Sequence, residues 1–228
     1  MVTEAVYIIL PVYNESPVVL QQVVDELLER DYKLIVVDDG SSERIDKVLR
    51  GKAVTLLRHP VNLGQGAALQ TGFEYARQLQ ARYVVTFDAD GQHTPDSIEK
   101  LLEPILKGSA DIVLGSRFLP GASHNAPMFR RLLFRLAHLV NAMLVRLPVS
   151  DSHNGLRALN AKALASICLT ENRMAHATEI LLQIKSNRLR YAEVPVQIRY
   201  SSYARKKGQS AADSIKVFFD LVLHKLFE

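Results

Sequence analysis

Five short, nearly unbroken apolar runs punctuate the first half of the chain: AVYIILPV, LIVVDD, AVTLLR, YVVTFDAD and DIVLGSR. A strand with one face in water alternates apolar and polar residues. One that is apolar throughout is covered on both faces, as in a parallel sheet. Helical spacing over residues 17–30, 45–50, 66–80 and 95–107 supplies the crossovers that parallel strands require. Pro17 and Pro95 suit a first helical turn, where no amide hydrogen is needed, and Ser16 and Thr94 stand as N-caps. This alternation predicts a doubly wound α/β fold, a mostly parallel central sheet flanked by helices.

There is no internal repeat and no low-complexity linker, and 228 residues suit a single domain over 1–228. The polar residues gather just behind the strands: Tyr13-Asn14-Glu15, Asp38-Asp39-Gly40-Ser41-Ser42, Asp88-Ala89-Asp90 and Ser116-Arg117. Ligands of open parallel sheets bind outside the strand carboxyl ends, so these loops are expected to converge on one site.

The stretch VTFDADGQHTPD sets Asp88 and Asp90 two residues apart behind an apolar strand, followed by Gln92 and His93. Two carboxylates and a carboxamide form a hard oxygen site suited to Mg²⁺ or Mn²⁺ held partly by substrate phosphates. The competing reading is a capped turn. A calcium-binding helical hand is excluded because its glycine and distal glutamate are misplaced, and zinc because His93 has no second His or Cys at ligand spacing. In VNLGQGAALQTGFEYA, Gly64 and Gly66 open a helix and would let a ligand approach its N-terminus, although neither phosphate-binding fingerprint is complete. The acids of Asp38-Asp39-Gly40-Ser41 either make a turn or bind a nucleobase or ribose.

Taken together, PVYNE, VVDDGSS, NLGQGAALQTGFEYA, FDADGQHTPD, VLGSR, DSHNGLRA and RKKGQS occur in the order seen in family 2 glycosyltransferases. The chain most resembles the branch that acts on polyprenyl phosphates, over residues 8–210. The resemblance implies a GT-A fold, a nucleotide-sugar donor, a divalent metal and inversion at the anomeric carbon. It divides the domain into a nucleotide-sugar-binding half (1–117), an acceptor-side half (118–210) and a C-terminal amphipathic helix (211–228). By position it puts Pro11, Tyr13 and Glu15 in the nucleotide pocket with Asp38, Asp39, Gly66 and Asp88. It places Asp88, Asp90 and Gln92 at the Mg²⁺ or Mn²⁺ and diphosphate site, with Asp90 catalytic. Arg117, Arg131 and Arg205 match positions that hold the acceptor phosphate. Where this branch often carries a lysine after the tail motif, Ala211 stands.

Arginine suits a phosphate acceptor through its planar fork of donors, and a phosphate nucleophile, already anionic, needs no general base. A hydroxyl acceptor does need one, and Glu179 in HATEI is then the residue to watch, against its alternative as a helix-start acid. Three readings follow: transfer to undecaprenyl or dolichyl phosphate, transfer to a saccharide hydroxyl in cell-surface polysaccharide synthesis, and a non-catalytic nucleotide-sugar-binding subunit of a membrane complex. No nucleic-acid partner is expected, since the basic residues lack interleaved aromatics and no helix-turn-helix or zinc pattern is present.

FRRLLFRLAHLVNAMLVRL folds at helical period into a basic face (Arg130, Arg131, Arg135, His138, Asn141, Arg146) and an apolar face (Leu132, Leu133, Leu136, Val140, Met143, Leu144), suited to an anionic membrane surface. SIKVFFDLVLHKLFE is also amphipathic, and at ~20 Å it is too short to span a bilayer. It is expected to lie in the interface, dock a small membrane protein or pair in a homodimer. No apolar run approaches the ~20 residues of a membrane span, and the N-terminus lacks the pattern of a signal peptide. The expected location is cytoplasmic, peripheral at the inner face of the membrane. The single cysteine, Cys168, lies between Ile167 and Leu169 and is read as a buried small hydrophobe in a reducing compartment.

Overall fold

The structure, a computed structural model, describes residues 4–122 and 147–199. The expected helix over 129–147, apart from its final residue, and the C-terminal helix and basic tail beyond Arg199 lie outside the described residues, as do Arg131 and Arg205. The elements run β1 (Val6–Val12), α1 (Pro17–Leu28), β2 (Lys33–Asp38), α2 (Asp46–Leu49), β3 (Val54–Arg58), α3 (Gln65–Gln78), β4 (Tyr83–Thr86), α4 (Asp96–Leu106), β5 (Ile112–Ser116), β6 (Arg157–Asn160), α5 (Ala161–Ser166), α6 (His176–Ser186) and β7 (Tyr191–Pro195).

The strands form one seven-stranded sheet in the order β3-β2-β1-β4-β6-β5-β7. Parallel pairing sets Ile9 beside Ile35 and Ile8 beside Val85. Because side chains alternate across a strand, Ile8 and Leu10 pack under α1 and α4, while Ile9 packs under α3 with Leu69 and Phe73. Both faces of β1 are therefore dry, which explains its unbroken apolar sequence. Pro17 occupies the first turn of α1 with Ser16 at the N-cap, although the Ser16 side chain makes no capping bond. At α4 the cap falls on Pro95; Thr94, one residue earlier, instead pairs its hydroxyl with that of Ser97 at 3.1 Å.

Two strands have no clear sequence signature. β6 enters antiparallel between β4 and β5, pairing Ala158 with both Val85 and Val113. β7 lies parallel to β5 at the sheet edge. Cys168 corrects the expectation of burial: it is exposed. The chain is extended there, so Ile167 and Leu169 turn inward and the residue between them turns out.

Candidate active site

The order of connection reverses at β1, whose neighbours are β2 on one side and β4 on the other, and open sheets take ligands in the crevice outside the strand carboxyl ends at such a point. The loops around it are tied together. Asn14, in the left-handed region at φ 49°, donates its backbone N–H to Ser41 Oγ at 3.0 Å. Its side-chain oxygen accepts from Ser42 N and Oγ, both at 2.9 Å. Arg58, ending β3, donates to the Ser41 carbonyl at 3.0 Å. Pro11 and Glu15 are half-buried beside these contacts, and Tyr13 is 47% exposed at the mouth.

The two acids after β2 face inward. Asp38 is fully buried; Oδ1 accepts from Ser41 N at 2.9 Å and Oδ2 lies 3.4 Å from Arg58 Nη1. Asp39 accepts from His59 Nδ1 (2.7 Å), Asn62 Nδ2 (2.8 Å), Leu63 N (2.9 Å) and Gly64 N (2.7 Å). A buried carboxylate needs such donors, and here they fix the loop that leads into α3. The glycines at the start of that helix have a packing role: a side chain on Gly66 would overlap the Glu171 carbonyl, and one on Gly64 the Asn172 carbonyl. The space beside them is filled by protein chain.

Asp88 follows β4 and is clasped from three sides. Gln65, the first residue of α3, donates to Oδ1 at 2.9 Å; His93 Nε2 lies 3.3 Å from Oδ2; and Gly155 lies so close that any Cβ there would overlap the carboxylate. Burial pushes this carboxyl up, but the His93 hydrogen bond and the charges of His93, Arg157 and His176 hold it below its ordinary value. Asp90 differs: burial, and next the negative charge of Asp88, push it above its ordinary value. It accepts from the backbone N–H of Gln92 at 2.9 Å and from the Gln92 carboxamide, across a Gly91 at φ 73°. The capped turn is thus present, and so is the paired negative charge. Among the described residues no three His, Cys, Asp or Glu side chains gather to hold a metal unaided. Two neighbouring acids, one of them raised by burial and by the charge of the other, are nonetheless a fitting donor set for a hard cation that shares its remaining positions with substrate phosphates.

On the far side of β4, Arg117 leaves β5 and is gripped by Asp151 through Nε–Oδ2 at 2.6 Å and Nη2–Oδ1 at 2.7 Å. Arg157, 2% exposed, opens β6 between the strands that carry Asp88 and Arg117, and the charges of Asp88 and Asp151 both act on it. Sequence reasoning assigned no role to Asp151, Gly155 or Arg157, although all three lie in the DSHNGLRA stretch: an acid and an arginine spaced around Asn-Gly were the available signal. Glu179 is occupied, since its carboxylate accepts from Thr170 N and Oγ1 and from Glu171 N at 2.6–3.1 Å.

The model of Glycosyl transferase family 2 matches residues 7–168, which include every one of these loops except the one around Glu179. The chain belongs to glycosyl transferase family 2. It is 32% identical over 247 aligned positions to the UDP-N-acetylglucosamine–dolichyl-phosphate N-acetylglucosaminyltransferase of Methanococcus voltae, covering 99% of this chain and 98% of that protein. It is 29% identical to the dolichol-phosphate mannosyltransferase of Pyrococcus furiosus, covering 96% of this chain and 62% of the longer relative. Among solved structures it resembles glucosyl-3-phosphoglycerate synthase from Mycobacterium tuberculosis, crystallised with Mn²⁺, UDP and phosphoglyceric acid: TM-score 0.72 at 20% identity, over 98% of this chain and 78% of that one. The fold is GT-A, as the resemblance implied. Among the described residues no helix of this glycosyltransferase is long and apolar enough to cross a membrane.

Proposed function

We propose that this family 2 glycosyltransferase moves one sugar, with inversion, from a nucleotide-sugar donor to a polyprenyl phosphate such as undecaprenyl or dolichyl phosphate. The observation that carries the reading is the Asp88–Asp90 pair behind β4, where burial and then the Asp88 charge push the Asp90 carboxyl above its ordinary value, so that added positive charge is favourable there. The acceptor class draws support from the Methanococcus voltae enzyme, similar from end to end. It also draws support from Glu179, whose carboxylate is taken up by the 170–171 backbone and so is poorly placed to act as the base a hydroxyl acceptor requires.

In this mechanism Pro11, Tyr13 and Glu15 line the nucleotide pocket above Asp38 and Asp39, and the Asp39 network keeps the loop before α3 and Gly66 in register. Asp88, Asp90 and Gln92 would hold Mg²⁺ or Mn²⁺ together with the donor diphosphate; the ion supplies neutralisation of the leaving group. Arg117, with Arg131 and Arg205, holds the acceptor phosphate. One phosphate oxygen attacks the anomeric carbon, its bond to the diphosphate oxygen breaks, and the electron pair leaves with the nucleoside diphosphate. Asp88, fixed by Gln65, His93 and Gly155, gives the donor site a wall that does not move during the step. A water-soluble donor and a bilayer-held acceptor meet at the membrane surface, so the enzyme works as a peripheral protein at the cytoplasmic face. The 129–147 and 211–228 segments, amphipathic at helical period in the sequence, are then the parts suited to contact the membrane or a small membrane protein.

The acceptor assignment is tested by offering labelled donor with undecaprenyl phosphate or with undecaprenol. Product from the phosphate alone is expected. Equal product from the alcohol would establish a hydroxyl acceptor and overturn the reading.

A further inference from the structure

Arg157 opens β6 and pairs across to Thr86 on one side and Leu114 on the other, so it is centred between the strands that deliver Asp88 and Arg117. The Thr86 hydroxyl donates to the Gly155 carbonyl at 2.6 Å, and Gly155 in turn rests against the Asp88 carboxylate. The backbone around Arg157 is therefore anchored to the segment that carries Asp88.

The guanidinium itself is poorly satisfied. It is 2% exposed, and among the described residues Nη1 has no hydrogen-bond partner and Nη2 reaches only the Ser152 carbonyl, at 3.5 Å. A buried arginine normally earns its place through close, bidentate carboxylate pairing. Arg117 has that with Asp151; Arg157 does not. Burial lowers its pKa to about 10, and the charges of Asp88 and Asp151 act against that fall. The same positive charge bears on His176, where burial and then Arg157 bring the pKa to about 4, and on His153, lowered by burial and by both arginines. The Arg157 charge thus disfavours the protonated form of both imidazoles. Among the described residues, the charges about this point include Arg117 and Arg157, Asp151 and Asp88, with Glu193 at the Asp151 backbone and Asp90 beside Asp88.

We propose that Arg157 is a positioning residue that serves both halves of the site, its charge acting on Asp88 of the donor side and on Asp151 of the acceptor side. Asp151 is then acted on by a second guanidinium charge although it is hydrogen-bonded to Arg117, so it neutralises Arg117 less completely than it would with Arg157 gone. Asp88 gains a fixed counter-charge behind it, which keeps its carboxylate seated against Gly155. Remove the Arg157 charge and both effects go at once: Asp151 neutralises Arg117 more completely, while Asp88 and Asp151 lose the cation that acts on both. This inference rests on the donor-side and acceptor-side assignments above.

The test replaces Arg157 with Met, which keeps the length and removes the charge, and with Lys, which keeps the charge. Arg157→Met is expected to raise KM for both donor and acceptor about tenfold. Arg157→Lys is expected to stay within about threefold of wild type for both. In an Asp151→Asn background, Arg157→Met should add less than threefold to the acceptor KM, because the shared acid is already gone. A purely structural arginine would lower the fraction of active enzyme, and hence apparent kcat, in step with the melting temperature and leave both KM values unchanged; that result overturns the proposal. If Arg157→Met yields no folded protein, Arg157→Gln carries the same comparison. Calorimetric binding of UDP and of GDP, each with Mn²⁺, separates this proposal from the lipid-acceptor reading. Roughly tenfold weaker binding to Arg157→Met than to wild type supports the donor-side half whatever the acceptor is. Unchanged binding contradicts it.

Discussion

The guanidinium of Arg117 and the carboxylate of Asp151 lie fork to fork, Nε to Oδ2 at 2.6 Å and Nη2 to Oδ1 at 2.7 Å, and the Arg117 backbone N–H adds a third bond to Oδ2 at 3.0 Å. The acid comes from the segment before β6 and the arginine from the end of β5, so the contact fixes Arg117 relative to the sheet. Side chains here are 17% and 2% exposed, dry enough for the pair to matter.

Asp151→Asn removes one charge of that pair. Acceptor KM is expected to rise about tenfold with donor KM within about twofold, measured by steady-state kinetics against each substrate. Stability should fall by about 3 kcal/mol in denaturant titrations, the usual cost of leaving a buried partner uncompensated. Burial raises the Asp151 carboxyl, but the charge and hydrogen bonds of Arg117 outweigh it, and the net shift is downward. An acid with a depressed folded pKa contributes stability that is present above its unfolded value, about 3.9, and lost as pH falls through the lowered one. The gap in stability between wild type and Asp151→Asn should therefore be constant near neutrality and close below about pH 4.

Gly155→Ala places a methyl group where the Asp88 carboxylate lies. The carboxylate has to move, since the alternative is to displace β4 or β6. Transfer should drop by about a hundredfold, while the far-ultraviolet circular dichroism spectrum is unchanged. Normal activity would mean that the seat of Asp88 is not important.

Glu179→Gln tests the helix-start role against the base role. The carboxylate holds the 170–171 backbone to α6, so the variant should lose about 1–2 kcal/mol of stability, the worth of charge-assisted hydrogen bonds weakened to neutral ones. Its kcat should remain within about threefold of wild type. A loss of several orders of magnitude in kcat at full stability would instead identify Glu179 as the base.

Asp90→Asn should stabilise the metal-free protein at pH 7, with the Gln92 carboxamide turning its oxygen to the new amide group. Burial and the Asp88 charge raise the Asp90 carboxyl. An acid raised in the folded state contributes stability that is full below its unfolded value, about 3.9, and lost as pH rises through the raised value. At neutral pH its charge is a burden carried for function, and the amide removes it. Melting curves at pH 7 should show the variant above wild type, with the difference shrinking as pH falls toward 4.

The parts of the fold read from sequence are those whose cause is local. β1 to β5 and the first four helices announce themselves through apolar runs covered on both faces and prolines in first turns. β6 is four residues long and opens on a buried arginine, Arg157, and β7 carries Glu193 and Pro195 at a sheet edge; neither has a periodicity to detect. The chemistry of the site was legible as residue types in loops, but its orientation was not. Asp39 faces inward because His59, Asn62 and the 63–64 backbone, twenty or more residues on, converge on it. Gly66 looked open to a ligand and is closed by Glu171, more than a hundred residues later. Arg157 carried no sequence signal of its own, and only the insertion of β6 between β4 and β5 brings it under the charges of two acids.

The most direct test of the account is transfer of label from UDP-N-acetylglucosamine or GDP-mannose to undecaprenyl phosphate with Mn²⁺, followed by solvent extraction, for wild type and Asp90→Ala. The account predicts labelled lipid from one of these donors with wild type and a loss of at least about a thousandfold with Asp90→Ala, at unchanged circular dichroism. Labelled lipid formed equally well by both proteins would contradict it, because the acids behind β4 would then have no part in the reaction.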